Sequence, residues 1–252
     1  MIARPFAANL DWLYPEQAYL DRPAAARADG FTAVEMQQPH LHETNALAAA
    51  LAGLDVVLIN APAGDWAAGD RGFAALPGRE ADFRSTTLQS LELAHRLGAA
   101  RVHLLSGLAP DTAAHRDTWL ANLRWAAEQS ALPLTVEPIN GRDMPGYFLH
   151  RQAQALELLA LLGSPRVQLQ LDLYHCRVTE GESLSHLCRA LELGVLGHVQ
   201  VAGVDGRHEP LPEEFTAEFE LLGRRGWPGA VGLEYRPRGD TSAGLAWLRA
   251  AR

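Results

Sequence analysis

The sequence has little cysteine, no excess of basic residues and no long apolar run. Its 252 residues include two cysteines, Cys176 and Cys188, which are too few for a disulfide framework and are typical of a reduced, cytoplasmic protein. The 22 basic residues are outnumbered by 30 acidic ones, and the net charge of -8 disfavours a protein that binds a nucleic-acid duplex. A local basic pocket for a small anion is still compatible with this balance.

The N-terminus and the apolar segments of the sequence do not have the patterns of a signal peptide or of a membrane span. The N-terminus lacks the charged-then-apolar pattern of a signal peptide, and no apolar run approaches the roughly 20 residues that cross a bilayer. We therefore expect a cytoplasmic protein whose partners include neither nucleic acid nor a membrane. The sequence leaves open whether the chain forms a homo-oligomer.

Strand-like and helix-like segments alternate along the whole sequence. The predicted strands are 6–10, 31–36, 55–60, 101–105, 134–137, 167–171, 196–201 and 230–235. The predicted helices are 15–29, 43–52, 78–97, 111–130, 150–162, 183–193, 212–225 and 241–251. Eight such units predict one α/β domain over residues 1–252, a (β/α)₈ TIM barrel. The long segment 61–77 is predicted to be an active-site loop that forms a lid or a wall.

A doubly wound open sheet is the alternative to the barrel. That fold typically has a glycine-rich phosphate-binding turn after its first strand. The corresponding segment here is Asn9-Leu10-Asp11-Trp12, which is not such a turn. The sequence therefore favours the closed barrel.

The last four predicted strands all end on oxygen-bearing side chains. Glu137, Asp172, Gln200 and Glu234 lie 35, 28 and 34 residues apart, which is about one strand–helix unit each. Any one of them could be a polar residue that faces solvent at the end of its strand. Because all four occupy the same position within their strand–helix units, however, they should lie at the same height in a barrel. Three carboxylates that converge without a cation repel one another and hold protons. Because an all-oxygen set suits a hard divalent ion, we predict Mg²⁺ or Mn²⁺ at these four residues.

Two histidines accompany these strand ends. His175 lies three residues after Asp172. It could bind the metal, contact the substrate or orient Asp172, and we favour contact with the substrate. His198 lies two residues before Gln200, so both side chains face the same side of their strand. His198 either supports Gln200 or belongs to the core.

Charged residues follow the same strands. Arg207 beside the predicted metal site is suited to hold a substrate carboxylate, and His208 follows it directly. Arg142 has the same possible role. Each of these arginines could instead be a solvated loop residue.

Seven motifs together resemble the hydroxypyruvate isomerase family of xylose-isomerase-like barrels. They are Phe6-Ala7-Ala8-Asn9-Leu10-Asp11-Trp12-Leu13, Asn60-Ala61-Pro62-Ala63-Gly64-Asp65-Trp66-Ala67-Ala68-Gly69, Glu137-Pro138-Ile139-Asn140, Asp172-Leu173-Tyr174-His175, His198-Val199-Gln200, Gly206-Arg207-His208-Glu209-Pro210 and Gly232-Leu233-Glu234-Tyr235-Arg236-Pro237.

The resemblance implies a (β/α)₈ isomerase with a divalent metal held by the residues that match Glu137, Asp172, Gln200 and Glu234. It also implies a catalytic pair that matches Glu137 and Glu234. Related ketose 3-epimerases have a His in place of Gln200, so this residue indicates the hydroxypyruvate branch. His175, Arg207, His208 and Asn60 are the expected substrate-binding residues.

The sequence departs from the family pattern in loops near the expected pocket. Gly203 stands where the family usually has Asp, and Leu211-Pro212-Glu213-Glu214-Phe215 replaces a Gly-Thr-Gly-Glu segment. The segment Gln37-Gln38-Pro39-His40 is also unusual. These differences affect the identity of the substrate more than the type of reaction.

The expected reaction is the isomerisation of hydroxypyruvate to tartronate semialdehyde through an enediolate, with two Glu as acid and base. A related isomerase or epimerase of a four-carbon 2-oxo sugar acid or a ketose is the nearest alternative. A metal-dependent phosphodiesterase on the same barrel and a non-catalytic sugar-binding barrel are alternatives of other classes. The negative charge disfavours the first of these, and the intact carboxylates disfavour the second.

Overall fold

Eight parallel strands close into a barrel in the computed structural model, which describes residues 5–211 and 213–251. Each strand pairs with its neighbours in the sequence, and the eighth pairs with the first. The (β/α)₈ prediction is therefore confirmed, and the open sheet is wrong. The strands are β1 (Phe6–Asn9), β2 (Ala33–Met36), β3 (Asp55–Asn60), β4 (Val102–His103), β5 (Leu134–Val136), β6 (Val167–Asp172), β7 (Leu196–Val201) and β8 (Val231–Leu233).

Helices connect the strands on the outside of the barrel. In the described part of the chain they are α1 (Arg22–Ala28), α2 (Thr44–Ala50), α3 (Glu80–Leu97), α4 (Ala113–Gln129), α5 (Gln152–Leu162), α6 (Leu173–Glu180), α7 (Leu184–Glu192), α8 (Thr216–Arg224), α9 (Thr241–Gly244) and α10 (Ala246–Ala251). None of these helices has the length and apolar character required to cross a membrane.

Three predicted helices differ from the structure. The helix predicted at 15–29 begins later, because a 3-10 turn at Tyr19–Asp21 leads into α1, where Pro23 occupies the first turn. The helix predicted at 212–225 corresponds to α8, and Pro212 lies outside the described residues. The helix predicted at 241–251 is interrupted at Leu245 and forms α9 and α10.

Helix α6 is an element that the sequence analysis did not predict. It begins immediately after β6, with Asp172 as its N-cap, and ends at Gly181, which has a left-handed φ of 85°. The Asp172 carboxylate accepts a hydrogen bond of 2.9 Å from the backbone N–H of Tyr174. The last residue of a strand thus also starts a helix, which carries Tyr174 and His175 over the mouth of the barrel.

The strands separate an apolar layer outside the barrel from a polar interior. In β6, Leu169 and Leu171 belong to the apolar core between strands and helices, whereas Gln170 and Asp172 alternate with them and point inward. In β7, Gln200 lies opposite Asp172. The interior near the carboxyl ends of the strands is therefore lined by hydrogen-bonding groups.

Candidate active site and metal centre

A cavity of about 850 Å³ opens at the carboxyl ends of the strands. Carboxylates and histidines form its floor, and loops after the strands form its walls. Its lining includes Trp12, Asn60, Ala63, Gly64, Trp66, His103, Glu137, Arg142, Tyr174, His175, Arg207, Glu234 and Arg236. The position of this cavity matches the end of the barrel at which (β/α)₈ enzymes place their chemistry.

Three buried carboxylates converge at the floor of the cavity. Glu137 directly follows β5, Asp172 ends β6 and Glu234 directly follows β8. Pro138 has no N–H and cannot continue the ladder of β5, so the strand stops at the point where Glu137 enters the barrel. The structure therefore brings these three side chains to one end of the barrel, and Gln200 hydrogen-bonds to Glu234 there.

Burial raises the pKa of all three carboxylates. The pKa of Glu137 lies well above its usual range, because burial and then the charges of Glu234 and Asp172 disfavour its ionised form. Burial raises the pKa of Glu234 to about 8 and that of Asp172 to about 6, while the positive charge of Arg207 acts in the opposite direction on both. The raised pKa values favour the protonated forms of these groups, and a bound cation would favour their ionised forms.

The donor set suits a divalent cation. Ligand atoms of Glu137, Asp172 and His175 lie within 4.8 Å of one another. Oε1 of Glu137 is buried and has no hydrogen-bond partner among the described residues. A buried, unpartnered carboxylate oxygen is costly, and coordination of a cation would satisfy it. Glu137 and Asp172 therefore fit a cation. Glu234, a predicted ligand, does not belong to this close group of ligand atoms among the described residues, whereas His175, predicted to contact the substrate, does.

The hydrogen bonds of His175 fix its tautomer. Oδ1 of Asn140 accepts a hydrogen bond of 2.8 Å from the backbone N–H of Asp143, so the amide nitrogen of Asn140 faces His175 and donates to Nδ1 at 2.6 Å. Burial lowers the pKa of His175 well below its usual value, so the ring is neutral. The proton consequently lies on Nε2, which is 3.7 Å from Asp172 Oδ2. This tautomer favours hydrogen-bond donation over metal ligation.

Gln200 lies at the centre of a buried hydrogen-bond network. Its Nε2 donates to Glu234 Oε2 at 2.7 Å and to Glu35 Oε1 at 2.8 Å. Its Oε1 accepts from Gln170 Nε2 at 2.7 Å, and the same nitrogen donates to Glu137 Oε2 at 3.2 Å. Gln200 is therefore connected to both predicted catalytic carboxylates.

The sequence analysis missed Asn9, Glu35, Gln170 and His103, which are buried polar residues of the barrel interior. Gln170 could have been found, because it lies two residues before Asp172 and so faces the same side of β6. His103 Nδ1 lies 3.9 Å from Glu137 Oε2, and burial lowers the pKa of His103 to about 3. A neutral imidazole thus borders Glu137.

The guanidinium of Arg207 contacts two of the three carboxylates. Its Nη2 forms a short hydrogen bond with Glu234 Oε1 and lies 3.5 Å from Asp172 Oδ2. The guanidinium carbon lies 4.5 Å from the ring centre of Trp12 and 4.9 Å from that of Tyr174. Arg207 also has a left-handed φ of 56°, which is unusual for a residue with a side chain. These contacts hold a positive charge at the predicted metal site.

The other predicted substrate-binding residues occupy different positions. Asn60, the last residue of β3, lines the cavity. His208 Nδ1 donates a hydrogen bond of 2.8 Å to the carbonyl of Arg236, and His208 lies outside the described lining of the cavity. His208 thus connects two loops at the rim.

The segment 61–77 forms one wall of the cavity through Ala63, Gly64 and Trp66. The Trp66 side chain is 55% exposed, and the guanidinium of Arg71 stacks on it at 3.5 Å from the ring centre. A bridge between Gly72 and Ser106 fixes the base of the segment against the chain that follows β4.

The backbone of Glu209 passes close to Gly203, which explains why a residue without a side chain stands at this position. A Cβ at this position would lie 2.8 Å from the carbonyl oxygen of Glu209. The Asp that the family usually has at this position therefore does not fit the loop as it is folded here.

Comparisons with known proteins agree with the fold and with the motifs. The model of the xylose isomerase-like TIM barrel family matches residues 23–251. The 2-oxo-tetronate isomerase of Cupriavidus necator is 48% identical over 97% of both chains. The hydroxypyruvate isomerase of Escherichia coli is 36% identical over 96% of this chain and 97% of that protein.

Among solved structures, a crystal structure named AP endonuclease, family 2, from Brucella melitensis superimposes with a TM-score of 0.93. It is 38% identical in sequence, and the match covers 99% of both chains. Full-length matches to a family model and to isomerases above 30% identity establish the relationship. The chain belongs to the xylose isomerase-like TIM barrel family and is an isomerase.

Proposed function

We propose that this isomerase moves the carbonyl group of a short 2-oxo acid between C2 and C3, as in the conversion of hydroxypyruvate to tartronate semialdehyde. The observation that carries the proposal is the pair of buried carboxylates, Glu137 and Glu234, at the floor of one cavity and connected through Gln170 and Gln200. The names of the relatives from C. necator and E. coli support an acid of this class.

The proposed cofactor is Mg²⁺ or Mn²⁺, held by Glu137, Asp172, Gln200 and Glu234. When bound, the cation would stabilise negative charge on the two adjacent oxygens of an enediolate. Oxygen donors from carboxylates and an amide match the preference of these ions. His175 is reserved for the substrate, because its Nδ1 accepts from Asn140 and its Nε2 carries the proton.

The proposed chemistry is a proton transfer between two carbons. One of Glu137 and Glu234 removes a proton from C3 of hydroxypyruvate, and the electron pair of that C–H bond forms the C2–C3 double bond of the enediolate. The electrons of the C2 carbonyl bond move to its oxygen, which takes up a proton. The other Glu then gives a proton to C2, while the C3 hydroxyl releases its proton and C3 becomes the carbonyl carbon, so atoms and electrons balance without an oxidant. Raised pKa values suit carboxyl groups that exchange protons with carbon near neutral pH.

Chemistry through a lysine Schiff base is excluded by composition. All 22 basic residues of the sequence are arginines, and no lysine is present. A carbonyl substrate therefore cannot be activated by a covalent imine to a lysine side chain of this chain. Acid–base chemistry by carboxylates is the route that its residues allow.

Arg207 is proposed to hold the carboxylate of the substrate, with Asn60 and His175 as hydrogen-bonding partners of the remaining oxygens. Arg207 contacts Glu234, His175 lies 3.7 Å from Asp172, and Asn60 lines the same cavity. His208 would act through the loop that carries Arg207, because its ring donates to the carbonyl of Arg236. Guanidinium and carboxylate groups form strong paired hydrogen bonds.

A four-carbon 2-oxo acid is a second candidate substrate. The relative from C. necator, at 48% identity, is named for 2-oxo-tetronate, and a cavity of about 850 Å³ leaves space for a further CH₂OH group. The proton transfers are the same for both acids. A comparison of kcat/KM for the three-carbon and the four-carbon acid decides between them.

DNA is a poor substrate for this chain, although one structural relative is named an AP endonuclease. The net charge of -8 opposes the approach of a duplex. Tight binding of an abasic-site duplex at moderate salt would contradict the proposed acid substrate.

Substitution of Glu234 by Gln tests the proposal. We expect kcat to fall by about 10²–10⁴-fold, because the amide cannot accept or return a proton. The amide oxygen can still coordinate a metal ion, so the Kd for Mn²⁺ and the melting temperature should change by less than about tenfold and by a few degrees at most, far less than kcat. The same substitution at Glu157, on the exposed face of α5, is the matched control and should leave kcat unchanged. Turnover retained by Glu234→Gln would remove this residue from the proton path.

A further inference from the structure

Glu35 is a buried carboxylate that the proposed proton transfers do not use. It lies in β2, it is fully buried, and it is not among the described residues that line the cavity. We propose that Glu35 is a positioning residue that fixes the amide of Gln200 and, together with Asn9, the carboxylate of Glu234. This inference rests on the proposed function of Glu234.

Both oxygens of Glu35 accept hydrogen bonds from side chains of other strands. Oε1 accepts from Asn9 Nδ2 at 3.0 Å and from Gln200 Nε2 at 2.8 Å. Oε2 accepts from His198 Nε2 at 2.6 Å. Since β2 and β7 are separated by β1 and β8 in the barrel, the side chain reaches across the interior.

The acceptor oxygen of Glu35 determines how the two amides are turned. Oε1 accepts from both, so Asn9 and Gln200 present their NH₂ groups to Glu35. The same two NH₂ groups donate to Glu234 Oε2, at 3.2 Å from Asn9 and 2.7 Å from Gln200. Glu35 and Glu234 thus share two donors, and an amide that turned around would lose both contacts.

This arrangement determines which atoms face the reaction. Oε2 of Glu234 is held by the two amides, and its Oε1 faces Arg207 at the cavity. The amide oxygen of Gln200, the atom that would serve as a metal ligand, is turned away from Glu35 and towards Gln170. Glu35 therefore sets the orientation of two proposed metal ligands without contacting the substrate itself.

Strand β8 leaves space for this carboxylate. Gly232 lies opposite Gln200 in the pairing of β7 with β8. A Cβ at this position would lie well inside van der Waals contact of the Glu35 carboxylate, at both oxygens. A glycine in the middle of a strand weakens the strand, and here it gives the Glu35 side chain its place.

Substitution of Glu35 by Gln tests the inference. The variant preserves the size of the side chain but replaces one acceptor by a donor, so it can no longer accept from both amides and from His198. We expect the Kd for Mn²⁺, measured by calorimetry, to rise about tenfold, and kcat to fall about 10–100-fold while KM changes less than about threefold. Glu35→Asp keeps the acceptors and should recover part of both losses.

Glu218→Gln is the matched control. Glu218 is a buried carboxylate of α8 that pairs with Arg177 and is not among the described residues that line the cavity. This variant should lower the melting temperature, while kcat and the Kd for Mn²⁺ stay within about threefold of the wild type. If Glu35→Gln does not fold, Gly232→Ala displaces the same carboxylate and should raise the Kd for Mn²⁺ and lower kcat in the same way.

Unchanged Mn²⁺ binding and unchanged kcat in Glu35→Gln would assign this residue a purely structural role, whatever its melting temperature. Equal losses in Glu35→Asp and Glu35→Gln would also overturn the inference. A wild type that binds no Mn²⁺ contradicts the proposed cofactor instead, and the separate effects on kcat and KM then decide the role of Glu35.

Discussion

The two carboxylate oxygens of Glu234 have different neighbours. Oε2 accepts from the amides of Asn9 and Gln200, whereas Oε1 faces the guanidinium of Arg207. One oxygen is therefore held in place, and the other is directed at the cavity, where a proton can be exchanged.

The positions of the three acids and of Gln200 could be predicted, because the alternation within a strand and the length of a strand–helix unit are visible in the sequence.

The partners of these residues could not be predicted in the same way. Asn9 and Glu35 lie in β1 and β2, more than 160 residues from Gln200 and Glu234 in the sequence. Their contacts exist only because the barrel closes between β1 and β8. The spacing of residues in the sequence does not reveal which of the side chains that point into the barrel contact one another.

At the residue scale, we predict that Arg207→Met tightens metal binding and weakens substrate binding. The guanidinium contacts Asp172 and Glu234, so its removal takes away a cation that competes for these carboxylates. The Kd for Mn²⁺ should fall roughly tenfold, equivalent to about 1.4 kcal/mol, while KM for the 2-oxo acid rises at least tenfold.

Arg236→Met is the matched control for this change. Arg236 lines the same cavity and lies 5.4 Å from the Trp12 ring, and it should leave the Kd for Mn²⁺ unchanged. Calorimetry on both variants measures the effect. Weaker metal binding in Arg207→Met would contradict the competition.

At the scale of elements, helix α6 and the segment 61–77 shape the mouth of the barrel and lie outside the regular strand–helix repeat. Helix α6 was not predicted because the apolar pattern of β6 continues directly into it. Its N-cap, Asp172, had already been interpreted as a metal ligand at the end of the strand. The segment 61–77 was predicted to be a wall or a lid, and its lining residues and the bridge at Gly72 place it at the cavity. Neither feature has a periodic signal of its own.

Substitution of Gly72 by Ala should destabilise this segment. Gly72 has a φ of 95°, and a Cβ there would clash with Leu105. We expect a loss of about 2–3 kcal/mol, or roughly 5–10 °C in Tm, and a several-fold rise in KM because the segment contributes Ala63, Gly64 and Trp66 to the cavity.

Gly69→Ala separates the backbone strain from the clash. Gly69 has a similar φ of 99°, but nothing lies within 4 Å of its added Cβ. It should therefore lose only about 1 kcal/mol. Equal changes of Tm in the two variants would show that the contact with Leu105 is unimportant.

At the scale of the whole molecule, the barrel follows from the sequence because eight strand–helix units admit few topologies. The boundaries were less predictable, since β4 has two paired residues where five were expected. The buried acids affect the stability of the entire domain. Each carboxyl group whose pKa is raised on folding favours the protonated form of the folded chain.

Above about pH 6.5 the metal-free protein should consequently lose stability as the pH rises towards 8. The buried histidines, whose pKa values are lowered, are then neutral in both the folded and the unfolded chain. The folded chain retains a proton that the unfolded chain releases, because burial raises the pKa of Glu234 to about 8. Mn²⁺ at 100 times its Kd should restore about 2.7 kcal/mol. At a fixed Mn²⁺ concentration, the rise in Tm should be larger at pH 8 than at pH 6, since protons compete with the metal.

Thermal melts with EDTA and with MnCl₂ across this pH range measure both effects. Glu234→Gln removes one of the titrating groups and should flatten the pH dependence of the metal-free protein. A metal-free wild type whose dependence on pH matches that of Glu234→Gln would show that Glu234 is not protonated in the folded chain.

The most direct measurement is the isomerisation of hydroxypyruvate in D₂O, followed by NMR. Because one Glu removes the proton and the other supplies a proton that exchanges with solvent, the tartronate semialdehyde should carry deuterium at C2 from the first turnovers, well above an enzyme-free control. Product formed at the wild-type rate without deuterium at C2 would mean direct hydrogen transfer between the carbons and would contradict proton transfer by Glu137 and Glu234.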